Sequence, residues 1–203
     1  MDRAKQTAKP TAAGREPTEE FKIYSYVVDH DEGCEPNPYF GSCTLCRCKY
    51  SRKAEATQGR KGQRNIVELA NEGDWVIGTG GASKRSAGLG KLIYAMRVDE
   101  KLTRLEFFTA FKEKKPERPR GRFQEQKQFA LVSRHFYYFG EKAHNIQRFK
   151  LEANRRGFHY VDPKDFRRFQ KWLEKKFQLG RHGEPCAIVG DECKGRAKRK
   201  SSC

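Results

Sequence analysis

The sequence predicts an α+β domain, a small mixed β-sheet with flanking helices and a C-terminal amphipathic helix, on three observations. Short runs of β-forming residues alternate with glycine-rich and polar turns, as in FKIYSYVV at 21–28, GDWVIG at 73–78 and KLIYAMRV at 91–98. FALVSRHFYYFG at 129–140 is a run dominated by apolar and aromatic residues. Near the C-terminus Phe166, Phe169, Leu173 and Phe177 recur at spacings of three and four, the period of one helix face.

In chain order, residues 1–20 are charged and aperiodic and read as a disordered tail. FKIYSYVV is a first strand, and the polar cluster at 29–33 that follows it is a turn. NIVELA at 65–70 suits a short helix. GDWVIG enters a second strand and KLIYAMRV is its neighbour, joined by the glycine-rich connection TGGASKRSAGLG. RPRG at 118–121 marks a loop, after which the run at 129–140 is a buried strand, or a strand and its corner. Asp162 as N-cap and Pro163 at the first helical position open a helix over about 163–179 that Gly180 stops. Its other positions, among them Lys164, Arg167, Arg168, Lys171 and Lys175, form a basic outer face. Residues 21–183 thus read as one domain and 184–203 as a basic flexible tail.

With 43 Lys and Arg against 26 Asp and Glu, the net charge is +17, an excess that favours phosphate contacts. Only 36% of residues are hydrophobic, so the 12% that are aromatic must carry much of the core. The N-terminal stretch has no apolar h-region and no long uncharged apolar run follows, which points to a cytoplasmic protein with no membrane partner. In such a compartment the seven cysteines are expected as thiols or metal ligands rather than disulfides.

Cys34, Cys43, Cys46 and Cys48 stand close together but offer one C-x-x-C knuckle and no second pair. His30, or Cys186 and Cys193, would be needed to complete a zinc site; packing against the core is the preferred reading, and no metal or cofactor is assigned. The glycine-rich connection fails as a phosphate loop: Leu92 follows Gly90-Lys91, Arg85 stands where the upstream glycine belongs, and Ser83 breaks a dinucleotide fingerprint. Lys84 and Arg85 there are candidates to grip a phosphate backbone. Asp29, Asp31 and Glu32 crowd one turn beside His30, where like charges can raise one carboxyl pKa for acid–base work.

Taken in order, YSYVVDHDEGCEPNP, CTLCRCK, GDWVIGTGG, GKLIYAMRV and LVSRHFYYFG resemble the second of the nucleotide modification associated domain families over about residues 21–150. Those families were named from phage and bacterial gene neighbourhoods concerned with modified DNA bases. The resemblance implies a role linked to hypermodified nucleotides. It carries over Asp29, Asp31, Gly33, Pro36, Asn37 and Pro38, then Cys43, Cys48 and Lys49, then Gly73 and Asp74, and residues 136–140. Tyr50 departs from the family's pattern, in which proline commonly follows the equivalent of Lys49, and the insert after it is long. The short helix before GDWVIG is also similar to PUA-like, ASCH and EVE domains, which implies a small PUA-like β-barrel as the alternative to an open sheet.

Three functions compete. The first is a module that binds a modified nucleotide or DNA base, with Asp29, Asp31, Asn37 and Asp74 around the base, Tyr39, Trp75 and Tyr138 stacking on it, and Lys49, Arg64, Lys84 or Arg85 meeting phosphate. The second is an enzyme of base modification that uses the acidic turn. The third is a basic protein that coats DNA without specificity.

Overall fold

The computed structural model describes residues 21–46, 65–112, 129–151 and 157–187. The RPRG loop, the N-terminal tail and residues 188–203 lie outside them. At its centre is an open mixed sheet. Strand β1 (Ile23–Val28) pairs in parallel with β3 (Trp75–Gly80), and β3 pairs antiparallel with β4 (Lys91–Arg97). Along its other edge β4 pairs with both β7 (Phe136–Tyr138) and β8 (His144–Asn145). The outermost strands are β9 (Phe158–Tyr160) beside β1 and β10 (Gly180–Arg181) beside β7. A second sheet holds β2 (Cys43–Leu45), β6 (Phe129–Ser133) and β5 (Glu100–Thr103), in that order.

The two ends of the large sheet do not meet, so the fold is the mixed sheet and not the barrel alternative. Both of its faces are covered by other layers, which removes the apolar face that a barrel would have to enclose. Alternation along β1 sends Tyr24, Tyr26 and Val28 toward the small sheet and α1 (Ile66–Leu69). Ile23, with Trp75 and Ile77 of β3, goes to the opposite core, where Phe166, Phe169 and Leu173 of α3 (Pro163–Lys176) pack. These three side chains are fully buried, each contributing roughly 1.5–3 kcal/mol.

The run at 129–140 is two strands in different sheets with a corner between them. Asp99 holds that corner: its Oδ2 accepts from the backbone N–H groups of Arg134 at 2.6 Å and His135 at 3.1 Å, and its own N–H donates to Val132 O at 2.9 Å. Asn65 caps α1 and Asp162 caps α3, accepting from Lys164 N at 2.7 Å with Pro163 in the first turn. Helix α3 ends at Lys176, short of the expected boundary, because Phe177 turns extended to set its ring 4.8 Å from that of Phe139. Between β5 and the next strand lies α2 (Arg104–Ala110), closed by a capping box of Thr103 and Glu106.

Cys34 is disulfide-bonded, which corrects the expectation of thiols at that position, since linear spacing does not tell which sulfurs a fold brings within bonding reach. Cys43, Cys46 and Cys186 are thiols outside any disulfide, and Cys43 is fully buried in the core beside Leu45. Among the described residues no three His, Cys, Asp or Glu side chains gather as metal ligands, and no helix is long and apolar enough to cross a membrane.

Candidate functional site

Parallel pairing brings the carboxyl ends of β1 and β3 together, with Val28 opposite Gly80. The acidic turn at 29–33 therefore meets the glycine-rich loop at 81–90. Ser86 Oγ accepts from Gly81 N at 2.8 Å and donates to Val28 O at 2.5 Å, and Asp31 N donates to Arg85 O at 2.9 Å. The Arg85 guanidinium pairs with Glu32. Gly80 and Gly81 allow this approach: a Cβ would stand 2.1 Å from Gly88 O in the first case and 2.7 Å from Asp29 Oδ1 in the second.

Asp31 is wholly buried, and the chain after β10 is what covers it. The Tyr138 phenol donates to Asp31 Oδ1 at 2.6 Å and Cys186 N to Oδ2 at 3.2 Å, while Ala187 N donates to Asp31 O at 2.9 Å. Burial raises the carboxyl's pKa, and the hydrogen bonds from Tyr138 and Cys186 pull against that rise. Burial and then the Asp31 charge push the Tyr138 phenol above its ordinary value, and the same two causes push the Cys186 thiol up to about 12. Glu184 O accepts from Glu141 N at 2.8 Å and His182 N donates to Tyr138 O at 2.8 Å, so residues 182–187 form a strap across the end of β7. Residues 184–187, expected in the tail, are thus hydrogen-bonded into the fold.

In front of this buried cluster is a cleft of about 440 Å³ between the Pro-Asn-Pro turn, the β6–β7 corner and the segment that enters the strap. Tyr39 and Phe40 come from the turn, Arg134 and Phe136 from the corner, and Leu179 and Arg181 from the C-terminal segment. Asn37 builds the turn. Its backbone pairs with Thr44, and its Oδ1 accepts from Tyr39 N at 3.2 Å. Phe40 is 51% exposed and sits at φ 58°, a left-handed conformation that disfavours a bulky side chain. The Arg181 guanidinium lies 5.0 Å from the Tyr39 ring centre and pairs with Glu184 at 2.6 Å, while Arg134 pairs with Glu100. Burial, then the charge of Glu184, raises the Tyr39 pKa.

Of the residues singled out by sequence, Asp29, Asp31, Arg85 and Tyr138 come together at the ends of β1 and β3, with Lys84 exposed on the adjoining loop. Asn37 is buried in the turn whose next residues, Pro38 to Gly41, line the cleft. Asp74 and Trp75 lie at the opposite end of β3, roughly 16 Å away at about 3.3 Å per residue. There Asp74 accepts from Lys22 N at 2.7 Å and Asn71 N at 2.9 Å, and Trp75 packs on Phe166 with ring centres 5.1 Å apart. Lys49 and Arg64 lie outside the described residues. Phe40, Arg134, Leu179, Arg181 and the Cys186 amide were not singled out for a site. Only Phe40 carried a local signal, an aromatic residue beside Tyr39 and before a glycine in a proline-fixed turn.

A family model described as nucleotide modification associated domain 2 matches residues 20–127 and 120–192. No curated protein and no solved structure matches the chain.

Proposed function

The chain belongs to the nucleotide modification associated domain 2 family, and from that premise we propose that it is a binding module that holds a nucleotide, in the first place one with a modified base, in the cleft between the Pro-Asn-Pro turn and the C-terminal segment. The observation that carries this reading is Phe40, a large ring held half-exposed in a left-handed backbone beside Tyr39, in a cleft that two arginines, Arg134 and Arg181, also line. A strained conformation at an exposed aromatic is a cost that burial does not offset. Base stacking uses such a ring, at roughly 1–3 kcal/mol per base.

Arg134 and Arg181 supply the complement to phosphate. Their side chains are 59% and 36% exposed, and among the described residues each has one carboxylate partner. Exposed pairs of this kind contribute at most about 1 kcal/mol, so a phosphate can take either guanidinium over at little cost. The cleft volume falls within the roughly 300–1,000 Å³ of small-molecule sites.

A second reading, an enzyme that uses the acidic turn for proton transfer, draws on the raised pKa of Asp31. It requires the strap to move, because both Asp31 oxygens are engaged inside the protein. Calorimetric titration with the deoxynucleoside monophosphates and their hydroxymethylated pyrimidine counterparts tests the binding reading. Phe40→Ala should weaken the best of them by about 5- to 150-fold. Arg134→Gln with Arg181→Gln should weaken nucleotides but not the matching nucleosides. Equal affinity of Phe40→Ala and parent for every member of the panel would sink it, and product formed in the same mixtures would favour the enzyme.

A further inference from the structure

Helix α3 turns its apolar side to the core and leaves the opposite side exposed. At 100° per residue, Phe166, Phe169 and Leu173 fall within an arc of about 60°, and Lys164, Arg167, Arg168, Lys171 and Lys175 within an arc of roughly 100° on the other side. All five cations are exposed. Among the described residues only Arg168 has an acidic partner in this group, Asp165 at 3.6 Å. Lys164 and Arg168, Arg167 and Lys171, and Lys171 and Lys175 are like charges four residues apart, each pair weakening the helix by roughly 0.2–0.5 kcal/mol. A face arranged against itself in this way is relieved by a polyanion.

The stripe runs about 16 Å from Lys164 to Lys175 at 1.5 Å per residue, the length of several phosphates at about 3.4 Å each along one strand. It also leads to the cleft. Leu179 follows Lys175 by four residues, a reach of at most roughly 14 Å. Arg148 and Lys176, at 5.5 and 5.8 Å from the Trp172 ring centre, widen the basic surface at that end.

We infer that the outer face of α3 docks the phosphodiester backbone of a nucleic-acid strand, so that the cleft receives a base presented by a polynucleotide rather than a free nucleotide. This rests on the nucleotide-binding reading of the cleft and names its substrate class. The helix supplies affinity that is blind to sequence, and the cleft supplies selection for the base.

The test measures binding of the full chain to fluorescein-labelled single-stranded DNA, duplex DNA and RNA of equal length, by anisotropy between about 50 and 200 mM salt. Deoxynucleoside monophosphates are titrated in parallel. Replacing Lys164, Arg167, Lys171 and Lys175 together by Gln should lower affinity for the preferred strand by about a hundred-fold and cut the magnitude of its salt slope by about three to four. Monophosphate affinity should be unchanged. A control variant with Lys22, Lys91, Lys112 and Lys142 replaced by Gln removes the same charge from exposed positions elsewhere. If the control loses as much as the α3 variant, or the α3 variant loses nothing, the docking face is refuted. Tighter binding of polyglutamate than of any strand refutes it too. Which of the three strands binds best identifies the nucleic acid. Failure of the monophosphates alone to bind the parent counts against the cleft and leaves the strand result legible. Circular dichroism checks folding, and the double variant Arg167→Gln with Lys171→Gln, expected to lose about half of the slope change, replaces the fourfold variant if that one unfolds.

Discussion

Asp31 ties the acidic turn to β7, to the glycine-rich loop and to the strap. A buried carboxyl keeps its charge only where donors meet it, and here Tyr138 and the Cys186 amide do so at 2.6 and 3.2 Å. Tyr138→Phe removes the shorter bond and leaves the oxygen buried without it, so unfolding free energy should drop by roughly 1–3 kcal/mol, read from urea melts. The pH dependence has a definite sign. Burial lifts the Asp31 carboxyl above its ordinary value of 3.8, so the unfolded chain releases this proton first. The residue's contribution to stability is therefore full below about pH 4 and is lost as pH rises through the folded-state value. Asp31→Asn abolishes that titration. The parent's stability minus the variant's should fall as pH climbs from about 4, and a difference that stays flat would show that Asp31 is not titrating in a buried site. Cys186 reports on the same cluster. With its thiol pushed up to about 12 by burial and by Asp31, it should resist iodoacetamide at pH 8 in the parent and react faster in Asp31→Asn.

At the scale of elements, two glycines with similar backbones separate conformational strain from close packing. Gly41 has φ +74° with no atom of the described residues within 4 Å of where a Cβ would stand, whereas Gly140 has φ +54° and would place a Cβ 2.0 Å from the Glu184 carbonyl oxygen. Gly41→Ala should cost about 1–2 kcal/mol, the left-handed penalty alone. Gly140→Ala carries that penalty and must also push the strap off, so denaturation should show a clearly larger loss together with new protease cleavage after Arg181. Equal losses would mean that the strap is not seated as described. The strap also marks where sequence reading stops. Strands β1, β3 and β4 and helix α3 were legible because their patterns are local: alternation, glycine punctuation, an Asp-Pro start and a repeat of three and four. Short strands such as β2, β8 and β10 carry two or three residues each and owe their state to distant partners, which no window of sequence contains. The candidate site divides in the same way. Asp31 and Tyr138 stood out as a turn acid and a core aromatic, but their contact spans 107 residues of chain, and the Cys186 amide reaches Asp31 across 155. Arg134 and Arg181 looked like any other arginine in a chain with 43 basic residues.

Over the whole molecule, charge and fold can be assigned to the same stretch of chain. Residues 1–20 hold four basic and four acidic side chains, and residues 188–203 hold five basic and two acidic, so 21–187 keeps +14 of the net +17. Contacts that close the structure are made as late in the chain as Ala187, since Ala187 N donates to Asp31 O and Pro185 fills the space beside Gly33, where a Cβ would lie 2.6 Å from its Cγ. A chain restricted to 21–187 should therefore melt within a few degrees of the full chain and keep most of its salt-dependent affinity for a nucleic-acid strand, because the two end segments together hold only +3 of the net charge and each charge adds at most about one phosphate contact. Stopping the chain after His182 is a different experiment. It deletes the carbonyl that accepts from Glu141 and both amides that donate to Asp31, and it opens a buried carboxyl to water. Three lost hydrogen bonds at about 1 kcal/mol apiece, with the lost Pro185 packing, put the expected destabilisation at roughly 3–5 kcal/mol. Differential scanning calorimetry of the three chains decides the matter. If the chain ended at 182 melts with the one ended at 187, the strap contributes nothing to the fold; if the chain ended at 187 has already lost its strand affinity, the binding charge resides in the ends and not on α3.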